Sequence, residues 1–306
     1  MRQAGSKAFT RSALRESQAY YERALSILEG CPENGSTLER AFEIRLELRR
    51  VLTPLGELRR AREHLQEADA LAQKLSDDER RGRVLAALMT IHSLLGDLDA
   101  AVETGTRALD IAKRLEDLRI QIPTTSYLEQ AHYYRGDYKK VAELATEALA
   151  VLPADWIYEQ FGMIAPASVY ARSWLVMSLA ELGKFDEGAE HAVEAARLAE
   201  VTQHAYTIGL AQRAAGTLHL IKGNWAKARS LLDHGISILR AGNVALSLAP
   251  TLASSAWALA QLGKAEEALS HLREGEQAAE RLAAMGRAQL RAWDLHALAR
   301  GQRQGR

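Results

Sequence analysis

Six times along this chain a glycine is followed, at fixed distances, by small and aliphatic residues separated by polar ones. The glycines are Gly56, Gly96, Gly136, Gly183, Gly223 and Gly263, at intervals of 40, 40, 47, 40 and 40 residues. Five positions after each lie Ala61, Ala101, Val141, Gly188, Ala228 and Ala268. Twelve after each lie Ala68, Ala108, Ala148, Ala195, Gly235 and Gly275. Two small-residue columns seven apart share one face of a helix and let a neighbouring helix approach closely. Three positions further runs an aliphatic column, Leu71, Ile111, Val151, Leu198, Ile238 and Ala278. Eight before each glycine stand Leu48, Leu88, Leu128, Leu175, Ala215 and Ser255.

This pattern predicts antiparallel helix pairs. The glycine makes the tight turn, where φ is positive or the backbone approaches closely, and Asp97, Asp137 and Asn224 suit the N-cap of the second helix. A fixed period of about 40 residues predicts a solenoid. Six full repeats are expected over about residues 38–280 of a single domain spanning 1–306. Residues 10–30 read as a preceding half-repeat, with Ser17 and Ala24 in the small columns, Ile27 in the aliphatic one, and the partner helix absent or degenerate. Residues 282–299 read as a C-terminal capping helix. An array opening on a half-unit is what a piece of a longer protein would show.

The single break in the period adds seven residues within PADWIYEQFGMIAPASVYARSW, residues 153–174. Pro153 and Pro166 fit the stop of one helix and the start of the next. The stretch between them is expected to be a joint, with Trp156, Tyr158 and Phe161 folded over apolar surface and the loop placed to roof part of a groove. Trp174 is expected to pack.

The turn G-[DNEK]-x-x-x-[small], repeated six times with these small columns, resembles the tetratricopeptide repeat family, in a form longer than its usual ~34 residues. The resemblance implies an all-α, right-handed superhelical solenoid. A closer resemblance lies in RQAGSKAFTRSALRESQAYYERALSIL, in LGELRRAREHLQEADALAQKLSDDERRGRV and in the proline-bounded segment running into SWLVMSLAELGKFDEG. These resemble the C-terminal repeat region of bacterial class III adenylate/guanylate cyclase-type proteins that carry an AAA-like ATPase. That resemblance implies a regulatory module. The catalytic domains of that family are not in this chain: a phosphate-binding loop needs G-x-x-x-x-G-K-[ST]. Gly183-Lys184 and Gly263-Lys264 have Ser178 and Ala258 at the first glycine position and Phe185 and Ala265 after the lysine.

Composition narrows the function classes. Of 306 residues, 47% are apolar and 25% charged, a folded rather than disordered composition. The 39 cationic and 39 anionic side chains leave no excess charge for a nucleic-acid partner. No apolar run reaches the ~20 residues of a membrane span, the N-terminus has no signal-peptide core, and the lone Cys31 fits a reducing, cytoplasmic setting. Six of nine histidines fall in two repeat columns: His92, His132 and His219, and His64, His191 and His271. Solenoid copies stand a helix-packing distance apart, about 10 Å, so one ion cannot collect three of them at ~2 Å. No metal site, cofactor or catalytic constellation is expected. The arginine-rich C-terminus, with Leu290, Trp293, Leu295 and Leu298 interleaved, reads either as a helix for an anionic partner or membrane surface, or as a cap with a basic tail.

By registry with the repeat family, groove-facing residues lie about 13, 10, 6, 3 and 2 before each glycine. They include Arg83, Thr90 and Ser93; Ser126, Gln130, Tyr133 and Tyr134; Tyr170, Ser173 and Met177; Arg213 and Thr217; and Trp257. Aromatic, amide, hydroxyl and guanidinium groups together suit a peptide or small ligand. The leading expectation is a non-catalytic protein- or peptide-binding module regulating a cyclase or ATPase. The alternative is a small-molecule inducer sensor like those of bacterial transcription activators. Terminal half-units also leave self-association, as a homo-oligomer, open.

Overall fold

A glycine that must adopt positive φ is the natural end of a helix, and that is how the repeat turns are built. In the computed structural model, Gly96, Gly136, Gly183, Gly223 and Gly263 have φ of 78°, 87°, 75°, 86° and 74°. The structure describes all residues except 11–13, 54, 56, 162, 243 and 281–306. Gly56 and the C-terminal segment expected to cap the array therefore lie outside the described residues.

The described residues are helical with no strand. In chain order the helices are α1 (Arg2–Thr10), α2 (Leu14–Glu29), α3 (Gly35–Leu52), α4 (Leu58–Lys74), α5 (Asp78–Leu95), α6 (Leu98–Arg114) and α7 (Leu118–Arg135). There follow α8 (Tyr138–Val151), a 3₁₀ turn at Ala154–Trp156, α9 (Ala167–Glu181), α10 (Phe185–Thr202), α11 (Ala205–Ile221), α12 (Trp225–Ala241) and α13 (Ala245–Gln261). Residues 265–280 form the next helix. The chain divides into two compact units, one of Met1–Thr124 and one beginning at Thr125, the division falling within α7.

In the first unit α1 packs on α2, and α2 through α6 pack successively. The partner of the N-terminal half-repeat is thus present, as a nine-residue helix. It is docked by the Ser17 hydroxyl, which donates to the Gly5 carbonyl at 2.8 Å. The core of this unit includes Phe42, Leu48, Leu52, Leu65 and Leu85. In the second unit α8 through α13 pack successively, and the first helices α9, α11 and α13 also touch one another directly.

All twelve members of the two small-residue columns are buried, as are all six residues of the column eight before the glycines. Ile27 and Val151 depart from the aliphatic column, being 53% and 41% exposed near the ends of α2 and α8. The caps differ among themselves. Asp97 accepts from the Ala100 amide at 3.3 Å. Asp137 and Asn224 hold the N-cap position without a side-chain bond to the helix. The Asp137 carboxylate turns instead to His132 Nδ1, at 3.0 Å.

The proline-bounded segment is a joint, anchored to α9. Pro166 precedes the first turn of α9, and the Ser168 hydroxyl donates to the Ile157 carbonyl at 2.5 Å. Trp156 and Phe161 meet edge to face, ring centroids 5.4 Å apart. Tyr158 does not fold over apolar surface as expected, being 44% exposed. Its neighbour Ile157 packs against the cluster of Val169, Leu198 and Ile208 in its place.

Candidate functional site

The direct packing of α9, α11 and α13 makes a wall, and its residues come from the positions that precede each turn glycine. Trp174, 1% exposed, sits at its base. The Tyr133, Tyr134 and Tyr170 rings lie 5.2, 5.6 and 5.9 Å from it, centroid to centroid. Tilted and edge-to-face pairs at these spacings each add stability beyond their burial and hold one another's rotamers. The Arg213 guanidinium stands over the Trp174 ring, 5.5 Å from its centroid, a cation–π contact that fixes its plane.

Above this base the second unit holds a cavity of about 550 Å³. Six of the residues expected to face a groove line it together: Tyr133, Tyr134, Met177, Arg213, Thr217 and Trp257. Among the described residues of the lining Arg213 alone is charged. Its side chain is 92% buried by exposure of 8%, and its Nε has no hydrogen-bond partner. Sequence reasoning passed over Leu220, Pro250 and Ala260, which stand in the same registry columns but carry no polar or aromatic signal. It also missed Leu269 and Leu272, which close the cavity from the helix of residues 265–280. None of the described residues of 153–166 lines it, so the joint does not roof this cavity.

The other expected residues lie elsewhere. Arg83 lines a separate cavity of about 330 Å³ in the first unit, with Glu43, Glu47, Arg50 and Arg119, and it is ion-paired to Glu43 at 3.3 Å. Thr90 is half-buried and donates to the Ala86 carbonyl at 3.2 Å. Gln130 is half-buried and outside both linings. Ser93, Ser126, Tyr170 and Ser173 are buried and line neither of these two cavities. The Ser173 hydroxyl returns to its own helix, donating to the Val169 carbonyl at 2.7 Å. Tyr170 packs on Tyr127 and Trp174, and burial pushes its phenol well above the usual range.

Among the described residues no group of three or more His, Cys, Asp or Glu is placed to hold a metal ion. The column histidines His64, His92, His132, His191 and His219 are each held below the usual imidazole range, chiefly by burial. Cys31 is exposed. Among the described residues no helix is long and apolar enough to cross a membrane.

No protein-family model matches the chain, and no curated protein matches it. Solved structures do. The apo form of RapI superposes with a TM-score of 0.74 at 12% identity, over 91% of this chain and 96% of that one. The Rap conjugation gene regulator of the plasmid pLS20, solved in complex with the Phr* peptide, gives 0.66 at 14% identity, over 93% and 74%. A signal transduction ATPase with numerous domains from Pyrococcus horikoshii, which carries a tetratricopeptide repeat sensor, gives 0.63 at 15% identity, over 92% of this chain but 42% of that one. At these identities the likeness is one of fold: an all-helical chain of tetratricopeptide-like repeats.

Proposed function

We propose that this chain is a non-catalytic peptide- or protein-binding repeat module whose ligand seat is the cavity of the second unit. The observation that carries the reading is the convergence of Tyr133, Tyr134, Met177, Arg213, Thr217 and Trp257 from successive repeats on one cavity of about 550 Å³. That size and an apolar wall with a few polar groups suit a bound ligand. Aromatic and Arg anchors are the usual carriers of binding energy in peptide recognition. The complex of a similar Rap protein with a peptide supports the same reading. The sequence resemblance further supports a place as the regulatory C-terminal region of a larger cyclase- or ATPase-type signalling protein. There, ligand binding acts by favouring one conformation of the linked domains.

Panning the chain against a phage-displayed random peptide library tests the seat. Selected peptides should lose at least tenfold in affinity for Trp257→Ala, while its helical circular dichroism stays unchanged. Unchanged affinity moves the seat elsewhere. The volume of the cavity also favours a second reading, a small-molecule sensor. A metabolite screen by melting shift that finds a stabilising compound, beside a peptide selection that finds none, replaces the first reading with the second. Light scattering over a concentration series tests for the homo-oligomer that the repeat ends allow.

A further inference from the structure

A buried guanidinium that meets no counter-charge is costly, because its desolvation is offset only by well-made partners. Arg213 is in that position. It is 8% exposed, and among the described residues its Nε has no hydrogen-bond partner and every other residue lining its cavity is uncharged. Its guanidinium lies over the face of Trp174, 5.5 Å from centroid to Cζ, and near the Tyr206 phenol, itself uncharged. A guanidinium lying on an aromatic face keeps its N–H edge available to a planar acceptor, and Arg meets a carboxylate with two parallel hydrogen bonds. In the same unit Arg240 is matched by Glu274 and Arg229 by Asp233 and Glu267, whereas Arg213 has no acid partner among the described residues and lines the apolar cavity.

We infer that the cavity recognises an apolar peptide carrying a single carboxylate, with Arg213 as its anchor. A lone cation points to one unit of negative charge, whereas phosphorylated groups are met by clusters of arginines. Met177, Leu220, Leu269 and Leu272 supply apolar surface for side chains. The Tyr134 and Thr217 hydroxyls give the wall polar groups that can meet peptide amides. This inference rests on the peptide-binding reading and specifies its chemistry. The carboxylate can be the C-terminus of the peptide or an Asp or Glu side chain.

The test uses three pools of N-acetylated pentapeptides built from Leu, Ile, Val, Phe and Trp. One pool ends in a free carboxylate. A second ends in an amide and carries one Glu at varied positions. The third ends in an amide and carries Gln in place of that Glu. Retention on the immobilised wild-type chain is read by mass spectrometry. One or both acidic pools should be retained at least tenfold over the uncharged pool, and which of them wins identifies the source of the carboxylate. Arg213→Met should bring that ratio to about one, and Arg213→Lys should keep part of it. The wild-type ratio needs no variant, so it decides the matter even if Arg213→Met fails to fold. Equal retention of all three pools, with loss in Trp257→Ala, overturns the role of Arg213 and leaves peptide binding standing. No retention of any pool, or retention unaffected by Trp257→Ala, overturns both.

Discussion

Glu129 has the least favourable surroundings of any described carboxylate. It is fully buried in α7, and neither of its oxygens has a hydrogen-bond partner. Burial pushes its carboxyl well above the usual range, so the folded chain keeps it neutral after the unfolded chain has ionised. The folded state then binds more protons, and its stability falls as pH rises from the ordinary carboxylate range towards the raised folded value. Glu129→Gln removes this dependence. The expected gain in stability is small near pH 4 and grows with pH, because the Gln amide has no proton to lose. Thermal melts of both proteins from pH 4 to 9 check it, and parallel curves would contradict it. The histidines act in the opposite direction. His64, His92, His132, His191 and His219 are held down by burial, so the unfolded chain takes up protons first as pH falls below about 6.5. Melting temperature should therefore drop between pH 7 and pH 5, and this acidic limb should persist in Glu129→Gln. A flat profile there in the variant would contradict the histidine account.

Two glycines separate the ways in which a helix pair depends on small residues. Gly223 turns α11 into α12 at φ 86°, with nothing within 4 Å of where a Cβ would stand. Gly223→Ala should cost only the left-handed backbone, about 1–2 kcal/mol, and Gly223→Asn less, because Asn visits that region more readily. Gly209 lies inside α11, and a Cβ there would come within 2.5 Å of Leu239 on α12. Gly209→Ala should cost roughly 1–3 kcal/mol by overpacking. Replacing Leu239 with Ala in the same chain should recover part of that cost but leave Gly223→Ala untouched. Urea denaturation of the single and double variants measures both, and a Leu239→Ala background that rescues neither or both would contradict this division. The turn glycine was legible in the sequence because it recurs at a fixed period. Gly209 was not, because in the column fourteen before the turn glycines only Gly82 shares its small size and close approach, to Ile111, while the other positions hold Phe42, Ile122, Val169 and Ala249. The same limit shaped the site. Registry placed Met177, Thr217 and Trp257 on one wall, but it treated all repeats alike and could not show where packing leaves a gap. Ser93, Ser126 and Ser173 fell out because a short side chain at a helix contact is covered by the neighbouring helix, and Ser173 satisfies its hydroxyl on its own backbone. Leu269 and Leu272 were missed because they lie on a second helix, which the registry assigns to the outer face.

Each unit of the molecule holds a cavity, and the two differ in kind. The first unit's cavity is lined by Glu43, Glu47, Arg50, Arg83 and Arg119, and its acids and bases are largely matched within the fold, Arg83 to Glu43 and Arg2 to Glu47. A ligand there would have to displace pairs already made. The second unit's cavity is larger and, among the described residues that line it, apolar but for one cation, Arg213, without an acid partner, so a ligand there gains an interaction without breaking one. Binding should accordingly stabilise the molecule unevenly. With a selected peptide at about 100 times its Kd, mass action adds about 2.7 kcal/mol to whatever opening exposes the seat. Amides of α9, α11 and α13 that exchange through such opening should slow by about 100-fold. Amides of α3, α5 and α6, whose local openings leave the seat intact, should exchange as before. Hydrogen–deuterium exchange with and without peptide reads this directly. Slowing centred on α3 and α5 would place the seat in the first unit and overturn the assignment. Slowing spread equally over both units would mean that the chain opens as one body, and that a ligand held by α9, α11 and α13 is felt throughout the array.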